Sequence, residues 1–467
     1  MGERQSPTGT WIDRSATLCE KDIREAYHEL IDLQLRSLYP DFFRNLYVQT
    51  PKERERGRVA VIEYQDDEIP DPEVFKNSQD VKTHFDNPIA ANQSGPRKRL
   101  FVLEDLSLSY VEALGSRLRI PPSFFAAHWA DPATPAFNQR NPLRRYAKGS
   151  FVIRYPSTQP LRVDADPDVH GHVFRCDFNL ERHIYCYDPK GPIFDQPKSY
   201  HALYFWTSGV REDGSWDSLL IVDPPVRGKV RSLTDERPLS VDHHSNEYAY
   251  SRMNSLDPEF NDVDILSPDP TEWTKGWQRP QYVSMFDDIV SLEPDLPARE
   301  IGPRTCTNVA RKLAICSFLS FLRRRILNML RLQANLRTTI LHVNRCDYLR
   351  EFGFVVNVKY IMGLVSSEAK EHFEVLGLHR HNADDVPEWE RDGWIAVQDY
   401  CGKIINMADA FLQSYPQFTS MQEAQAANKN ALNLAHITSL TMVFVPLSTI
   451  AAIFSMTDDF LPGEKKS

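Results

Sequence analysis

The stretch SMQEAQAANKNALNLAHITSLTMVFVPLSTIAAIFSM, residues 420–456, decides the fold of the C-terminal part of this chain. Strong helix formers fill its first half, and the 28 residues 430–457 contain no Asp, Glu, Lys or Arg. A helix of that length spans roughly 40 Å, more than the roughly 30 Å of a bilayer core. The alternative is a buried helix of a soluble interaction protein, but residues 440–454 form a long run with nothing more polar than a hydroxyl. The sequence therefore predicts a transmembrane helix at 434–457.

One face of this predicted helix carries small, hydroxylated or β-branched side chains. They recur every three or four residues and so form one stripe: Ile437, Thr441, Val445, Ser448, Ala452 and Ser455. Two interpretations stay open, namely close packing against another helix in lipid and a narrow pore surrounded by several copies of the helix. Asp458 and Asp459 follow the run and would either attract cations at the mouth of a symmetric pore or form a solvated flank.

The rest of the chain has the composition of an ordinary water-soluble protein. Its 467 residues are 42% hydrophobic and 25% charged, which allows two or three domains with their own cores. The net charge of −10 and the lack of a long basic tract argue against nucleic acid as a partner. The seven cysteines show no CxxC spacing and the N-terminus has no signal-peptide core, so we expect reduced thiols and a cytosolic start.

Hydrophobic periodicity divides the chain into segments and predicts an α/β N-terminal cytosolic domain followed by long α-helices and a C-terminal transmembrane helix. The predicted segments are a variable N-terminal region at 1–96, an α/β cytosolic domain at 97–226, a Pro- and Asp-rich loop or insertion at 227–303, a helical stalk at 304–433, the transmembrane helix at 434–457 and an acidic/basic tail at 458–467. Helical spacing also predicts a helix at 22–38. Another begins near Trp394, and Pro416 is expected to interrupt or kink it.

No motif for catalysis is found. Neither GxSxG nor GxxxxGK[ST] occurs, and Cys316 lies in an apolar helical pattern typical of a core, so the sequence predicts no enzyme and no bound cofactor. Five residues that are competent zinc ligands lie close together in the sequence: His170, His172, Cys176, His183 and Cys186. Their spacing fits no closed structural zinc site, so we interpret them as ordinary strand residues and assign no metal firmly.

The membrane junction resembles that of the CorA-type divalent-cation transporter superfamily, especially its divergent fungal branch. Val-Pro-Leu-Ser at 445–448 stands where the family has a Phe-Pro-Leu-Thr-like centre, and Ser-Met-Thr at 455–457 stands where it has Gly-Met-Asn. RLFVLEDLSLSYVEALGSRLRIPPSFFAAHW at 99–129 and SWDSLLIVDPP at 215–225 are similar to the N-terminal domain of that branch.

The resemblance implies a homopentamer with its N-terminal bulk in the cytoplasm, passing a divalent cation, Mg²⁺ above all, down its gradient. It implies a pore lined by Ile437, Thr441, Val445, Ser448 and Ala452, and a selectivity loop at Ser455, Met456 and Thr457. In that loop a hydroxyl replaces the amide expected to face the hydrated ion. The family's second membrane helix has no counterpart after residue 457, so the alternative is a non-conducting, membrane-anchored scaffold or regulator derived from a CorA-like protein.

Overall fold

The structure is a computed structural model that combines a mixed α/β unit with a bundle of long helices. It describes residues 20–54, 56–65, 71–86, 95–133, 150–158, 161–163, 173–185, 198–226, 228–234, 236, 238–243, 284–292, 301–339, 348–378 and 387–455. An α/β unit is followed by long helices, and the last of these ends in an apolar segment. The predicted fold class is therefore confirmed.

The helices of the described residues fall into two groups, short ones around the sheet and three long ones after it. In chain order they are α1 (Glu20–Leu38), α2 (Pro40–Val48), α3 (Pro51–Arg54), α4 (Ser78–Asp86), α5 (Leu108–Leu118), α6 (Pro122–Trp129), α7 (Met285–Leu292), α8 (Asn308–Thr339), α9 (Tyr348–Val375) and α10 (Glu388–Ser455). The helix predicted at 22–38 is confirmed, and Tyr27, Ile31 and Leu35 are buried at the predicted helical spacing.

One sheet collects the strands of the described residues. They are β1 (Arg58–Tyr64), β2 (Glu73–Phe75), β3 (Lys98–Glu104), β4 (Phe151–Thr158), β5 (Leu161–Val163), β6 (Val173–Cys176), β7 (His183–Tyr185), β8 (Lys198–Thr207), β9 (Trp216–Val222), β10 (Gly228–Ser232) and β11 (Pro238–His243). The order is β2-β1-β3-β9-β8-β7-β6-β10-β11-β5, with β4 also paired to β8. Among the described strands only β3 and β9 pair in parallel, and the other described pairings are antiparallel.

The two faces of the sheet pack against different helices. Because successive side chains of a strand point to opposite faces, Val59, Val61 and Phe101 join a core with α1, α2, α5 and α6. Ala60 and Val102 join a second core with the long helices α8, α9 and α10. The sheet thus lies between a layer of short helices and the long-helix bundle.

The bundle fixes the directions of the long helices. The rings of Phe352 and Tyr415 are in tilted contact with their centroids 4.7 Å apart, and Lys359 Nζ lies 2.6 Å from Asp409 Oδ1, so α9 runs antiparallel to α10. The facing residues of α10 recur at alternating steps of three and four, as in a coiled coil: Trp394, Val397, Cys401, Ile404, Ala408 and Phe411. The helix predicted to begin near Trp394 is confirmed, and this buried face holds it on the bundle.

Three features differ from the local sequence expectations. The helix α10 continues through Pro416 without a break, because one lost backbone hydrogen bond is outweighed by the packing of this helix on α8 and α9. The strands β1 and β2 lie in the segment expected to be variable, and β10 and β11 lie in the segment expected to be a loop or insertion. β2 has three residues and β10 has five, and strands this short obtain their stability from their sheet neighbours. The predicted division into domains stays a prediction.

Candidate functional site

The C-terminal part of α10 is a candidate membrane span. Residues Glu423–Ser455 are long and apolar enough to cross a bilayer, and none of their most apolar window is buried within the chain. Large apolar side chains on every side of this segment are exposed, for example Met442 at 78% and Phe454 at 73%. A core helix of a soluble protein would bury such side chains.

The structure places the predicted stripe on one continuous helix. Its members are exposed along their whole length: Ile437, Thr441, Val445, Ser448, Ala452 and Ser455. Ser455 is the last residue of α10. Met456, Thr457, Asp458 and Asp459 lie outside the described residues.

The hydroxyl groups of the stripe donate to carbonyls of their own helix. Thr441 Oγ1 donates to the Ile437 carbonyl at 2.7 Å and Ser448 Oγ to the Val445 carbonyl at 2.9 Å. Ser455 Oγ donates to the Ala452 carbonyl at 3.0 Å. This arrangement occupies the hydroxyl hydrogen, as a polar group in an apolar surrounding requires. The lone pairs of each hydroxyl oxygen stay available to accept hydrogen bonds.

Pro446 lies at the middle of the stripe. It has no backbone N–H to donate to the carbonyl four residues earlier, that of Met442. Thr449 Oγ1 and Ser448 Oγ both donate to the Val445 carbonyl, at 2.7 and 2.9 Å. The Met442 carbonyl, near the centre of the candidate span, therefore does not receive the backbone hydrogen bond that a helix normally supplies.

A buried joint between α8 and α10 holds the start of α10, the helix that carries the candidate span, on the bundle. Arg311 of α8 pairs with Glu390 at the start of α10, and both side chains are buried. One turn further, a Cβ built on Gly393 would lie 2.9 Å from Ile315 Cγ2. A glycine inside a long helix disfavours that helix, so Gly393 was a usable sign of close helix approach.

The segment 215–225 ends in a second buried polar group. Asp223 accepts hydrogen bonds from Arg182 Nε at 2.6 Å and Nη2 at 2.8 Å, and His128 Nε2 lies 3.2 Å from its Oδ1. Burial by itself raises the pKa of Asp223, but the charge of Arg182 and hydrogen bonds from His128 and His201 hold it well below its usual range. The cluster is closed to solvent, so it stabilises the sheet and offers no binding site.

The histidines and cysteines singled out in the sequence do not come together in the described part of the chain. Cys176 is buried beside Phe174 and Ile184, whereas His183 is hydrogen-bonded to Asp131. His170, His172 and Cys186 lie outside the described residues. Among the residues described, no group of three His, Cys, Asp or Glu side chains could hold a metal ion.

Comparison with known proteins gives similarity to solved structures alone. No protein-family model and no curated protein sequence matches the chain. The chain is similar to the complete structure of the CorA magnesium transporter from Methanocaldococcus jannaschii, with 9% identity, a TM-score of 0.37 and coverage of 86% of this chain and 88% of that chain. It is also similar to the soluble domain of CorA from the same organism, with 8% identity, a TM-score of 0.33 and coverage of 78% and 95%.

Proposed function

We propose that this chain is a subunit of a CorA-like metal-ion transporter that lets a divalent cation of the Mg²⁺ type cross a membrane passively. The proposal rests on this chain's own residues, namely the membrane junction at 445–457 and the unburied apolar segment Glu423–Ser455. The observation that carries it is the orientation of the stripe hydroxyls of Thr441, Ser448 and Ser455.

These hydroxyls match the surface of a hydrated cation. Mg²⁺ gives up its water reluctantly, and its bound water molecules point their hydrogens outward. A lining suited to that shell must present acceptors. Because the hydrogens of Thr441 and Ser448 are used within the helix, these side chains offer oxygen lone pairs. An anion would instead require donors at the same positions.

Several copies of the chain are needed for this function, since one helix cannot enclose a path. We propose a homo-oligomer, a pentamer by family resemblance, in which the stripe from Ile437 to Ala452 faces the axis. The N-terminal bulk then lies on the cytoplasmic side, and the oxygens of residues 455–457 meet the hydrated ion beside the acidic pair Asp458 and Asp459.

A flux assay with a matched pair of variants tests this proposal. Full-length protein in liposomes should admit Mg²⁺, Co²⁺, Ni²⁺ or Zn²⁺ at a rate above that of empty liposomes. Ser448→Ala should lower the rate, because it removes an acceptor from the stripe. Ser439→Ala should leave it unchanged, because nine residues are two and a half turns and place Ser439 on the opposite face. Absence of flux with all four ions would overturn the proposal.

The second candidate is a non-conducting, membrane-anchored scaffold or regulator. It is favoured by Ser-Met-Thr at 455–457, since Thr457 supplies a hydroxyl where an ion-facing amide is expected from the resemblance. Crosslinking in membranes separates the two: stable pentamers favour the transporter, and monomers without flux favour the scaffold. Extraction with alkaline carbonate tests membrane insertion itself, because a soluble protein is released and an integral one stays in the pellet.

A further inference from the structure

One face of the candidate span carries large apolar side chains. Towards the N-terminus of α10 the same face becomes polar and carries a cation. Seven residues are nearly two helical turns, and two series at that interval lie on this face: Lys429, His436, Val443 and Ile450, and Leu440, Leu447 and Phe454. Asn433 lies one turn from both Lys429 and His436 on the same side. The face points away from the stripe of Thr441 and Ser448.

The polar end of this face has no partner within the described chain. Lys429, Asn433 and His436 are exposed, and their side chains make no hydrogen bond or ion pair with any described residue. Between residues 423 and 455 the only acidic side chain is Glu423. Three donor side chains, one of them with a full positive charge, therefore lie together with no acceptor side chain from the described residues on them.

Their depth along α10 corresponds to the headgroup layer of a bilayer. Residues 434–455 span about 32 Å as helix, close to the roughly 30 Å hydrocarbon core. His436 then lies about 3 Å inside one boundary of the core, and Lys429 about 7 Å outside it. The headgroup layer is itself roughly 5–7 Å thick on each side, so the two side chains lie above and below the plane of the phosphates.

We infer that Lys429, Asn433 and His436 form a binding surface for the phosphate of an anionic phospholipid on the lipid-facing side of α10. The inference rests on the proposed insertion of α10 into a membrane. The Lys429 ammonium supplies charge and donors, the Asn433 amide and a His436 ring N–H supply further donors, and a phosphate diester offers acceptors alone. Leu440 and Leu447 continue the same face downward, where the acyl chains of that lipid lie.

The apolar continuation identifies a lipid rather than dissolved phosphate as the ligand. Inorganic phosphate would gain nothing from Leu440, Leu447 and Phe454, which are 57%, 55% and 73% exposed on this face. A phospholipid buries them and satisfies the donors above them at the same time. Lysine close to an anionic leaflet gains association of about fivefold from charge.

Spin-labelled lipids measure this preference directly in full-length protein reconstituted in vesicles. Labelled phosphatidylglycerol should associate with the wild-type protein about fivefold more strongly than labelled phosphatidylcholine. The variant Lys429→Gln/His436→Gln should reduce this ratio to near one. The matched control is Lys429→Gln/Ala431→Lys. It keeps one lysine at nearly the same depth in the membrane but moves that lysine by about 200° around the helix. It should also lose the preference.

Each remaining outcome decides the proposal. An unchanged ratio in the double Gln variant, or a preference retained by the displaced lysine, overturns it. Loss of the preference on adding glycerol phosphate at a concentration no higher than that of the labelled lipid also overturns it, because the apolar contacts then give the lipid no advantage over a free phosphate. If the protein stays in the membrane pellet after alkaline carbonate but shows no lipid preference, the lipid-binding surface is wrong and the membrane insertion of α10 stands. If carbonate releases the protein, both proposals are wrong.

Discussion

Arg311 and Glu390 form an ion pair whose two side chains are almost completely closed to solvent, at 1% and 0% exposure, and it joins α8 to the first turn of α10. Arg311 also donates to the side chain of Asn308, and its Cζ lies 5.9 Å from the centre of the Phe151 ring. The pair therefore connects both long helices to strand β4. Because α10 continues into the candidate span, this joint attaches the helix that carries the span to the α/β unit.

Breaking this pair should destabilise the bundle strongly. Glu390→Gln leaves the Arg311 charge buried without its counter-ion, and we expect a loss of about 3–5 kcal/mol in the free energy of unfolding. The matched control is the exposed pair Lys359–Asp409, where Asp409→Asn should change it by less than about 1 kcal/mol. Denaturant unfolding of the full chain in detergent measures both. Equal effects at the two sites would contradict the role given to the buried pair.

The contact of Gly393 with Ile315 predicts opposite effects of the same substitution at two glycines. Gly393→Ala forces a Cβ to 2.9 Å from Ile315 Cγ2, so we expect a loss of about 1–3 kcal/mol from overpacking. Gly402→Ala meets nothing within 4 Å and should gain up to about 1 kcal/mol from helix propensity. Thermal unfolding of the two variants compares them directly. A gain at Gly393 would show that α8 and α10 are further apart than described.

Acid should weaken the packing around His372. Burial lowers the pKa of His372 to about 4, and its Nε2 lies 3.1 Å from the Arg154 carbonyl oxygen. In the unfolded chain the pKa of His372 is about 6.5. Between about pH 6.5 and about pH 4 the unfolded chain therefore binds a proton that the folded protein does not. The free energy of unfolding falls across this range as the pH falls, by about 3 kcal/mol in all. His372→Gln should remove this component from the pH profile of unfolding. An unaltered acid slope would show that His372 is protonated in the native state.

Asp105 should contribute a slope of the opposite sign. Burial raises its pKa to about 7, so the native state keeps a proton that the unfolded chain has lost, and stability falls as the pH rises from about 4 to 7. Asp105 has a φ of +67°, which Asn also tolerates, and its Oδ1 accepts from the Leu106 amide at 2.8 Å.

Asp105→Asn is therefore expected to stabilise the protein at pH 8 by about 1–3 kcal/mol, since the buried charge is removed and the acceptor is kept. Asp105→Ala loses the acceptor and strains the backbone, and should destabilise it. Unfolding at pH 5 and pH 8 separates the two variants. Because the windows of His372 and Asp105 overlap, the wild-type profile is flatter than that of either single variant.

Local patterns in the sequence predicted much of the fold. The apolar run after residue 434 forms a helix through residue 455, and the face from Trp394 to Phe411 lies on the helix that hydrophobic spacing predicted. The buried face of α9 carries the same alternation of three and four, from Val355 through Val358 and Met362, so its signal was also present.

Contacts between distant segments had no such signal. Arg99 Nε lies 2.7 Å from Asp217 Oδ1 across the parallel pair of β3 and β9, which are separated by more than a hundred residues in the chain. A strand pattern shows which side chains are buried but not which strand lies beside them. Likewise, Pro416 alone predicts a kink, and only the packing of α10 on two helices keeps it continuous.

The sequence by itself determined that the C-terminal segment is an apolar helix with a small, hydroxylated stripe, because composition and spacing are local properties of the chain. The tertiary structure decided that this segment is unburied and that Arg311 of α8 pairs with Glu390 of α10 out of contact with solvent. Those properties depend on what surrounds each residue in space. Burial and hydrogen bonding are fixed by neighbours that lie far away in the sequence.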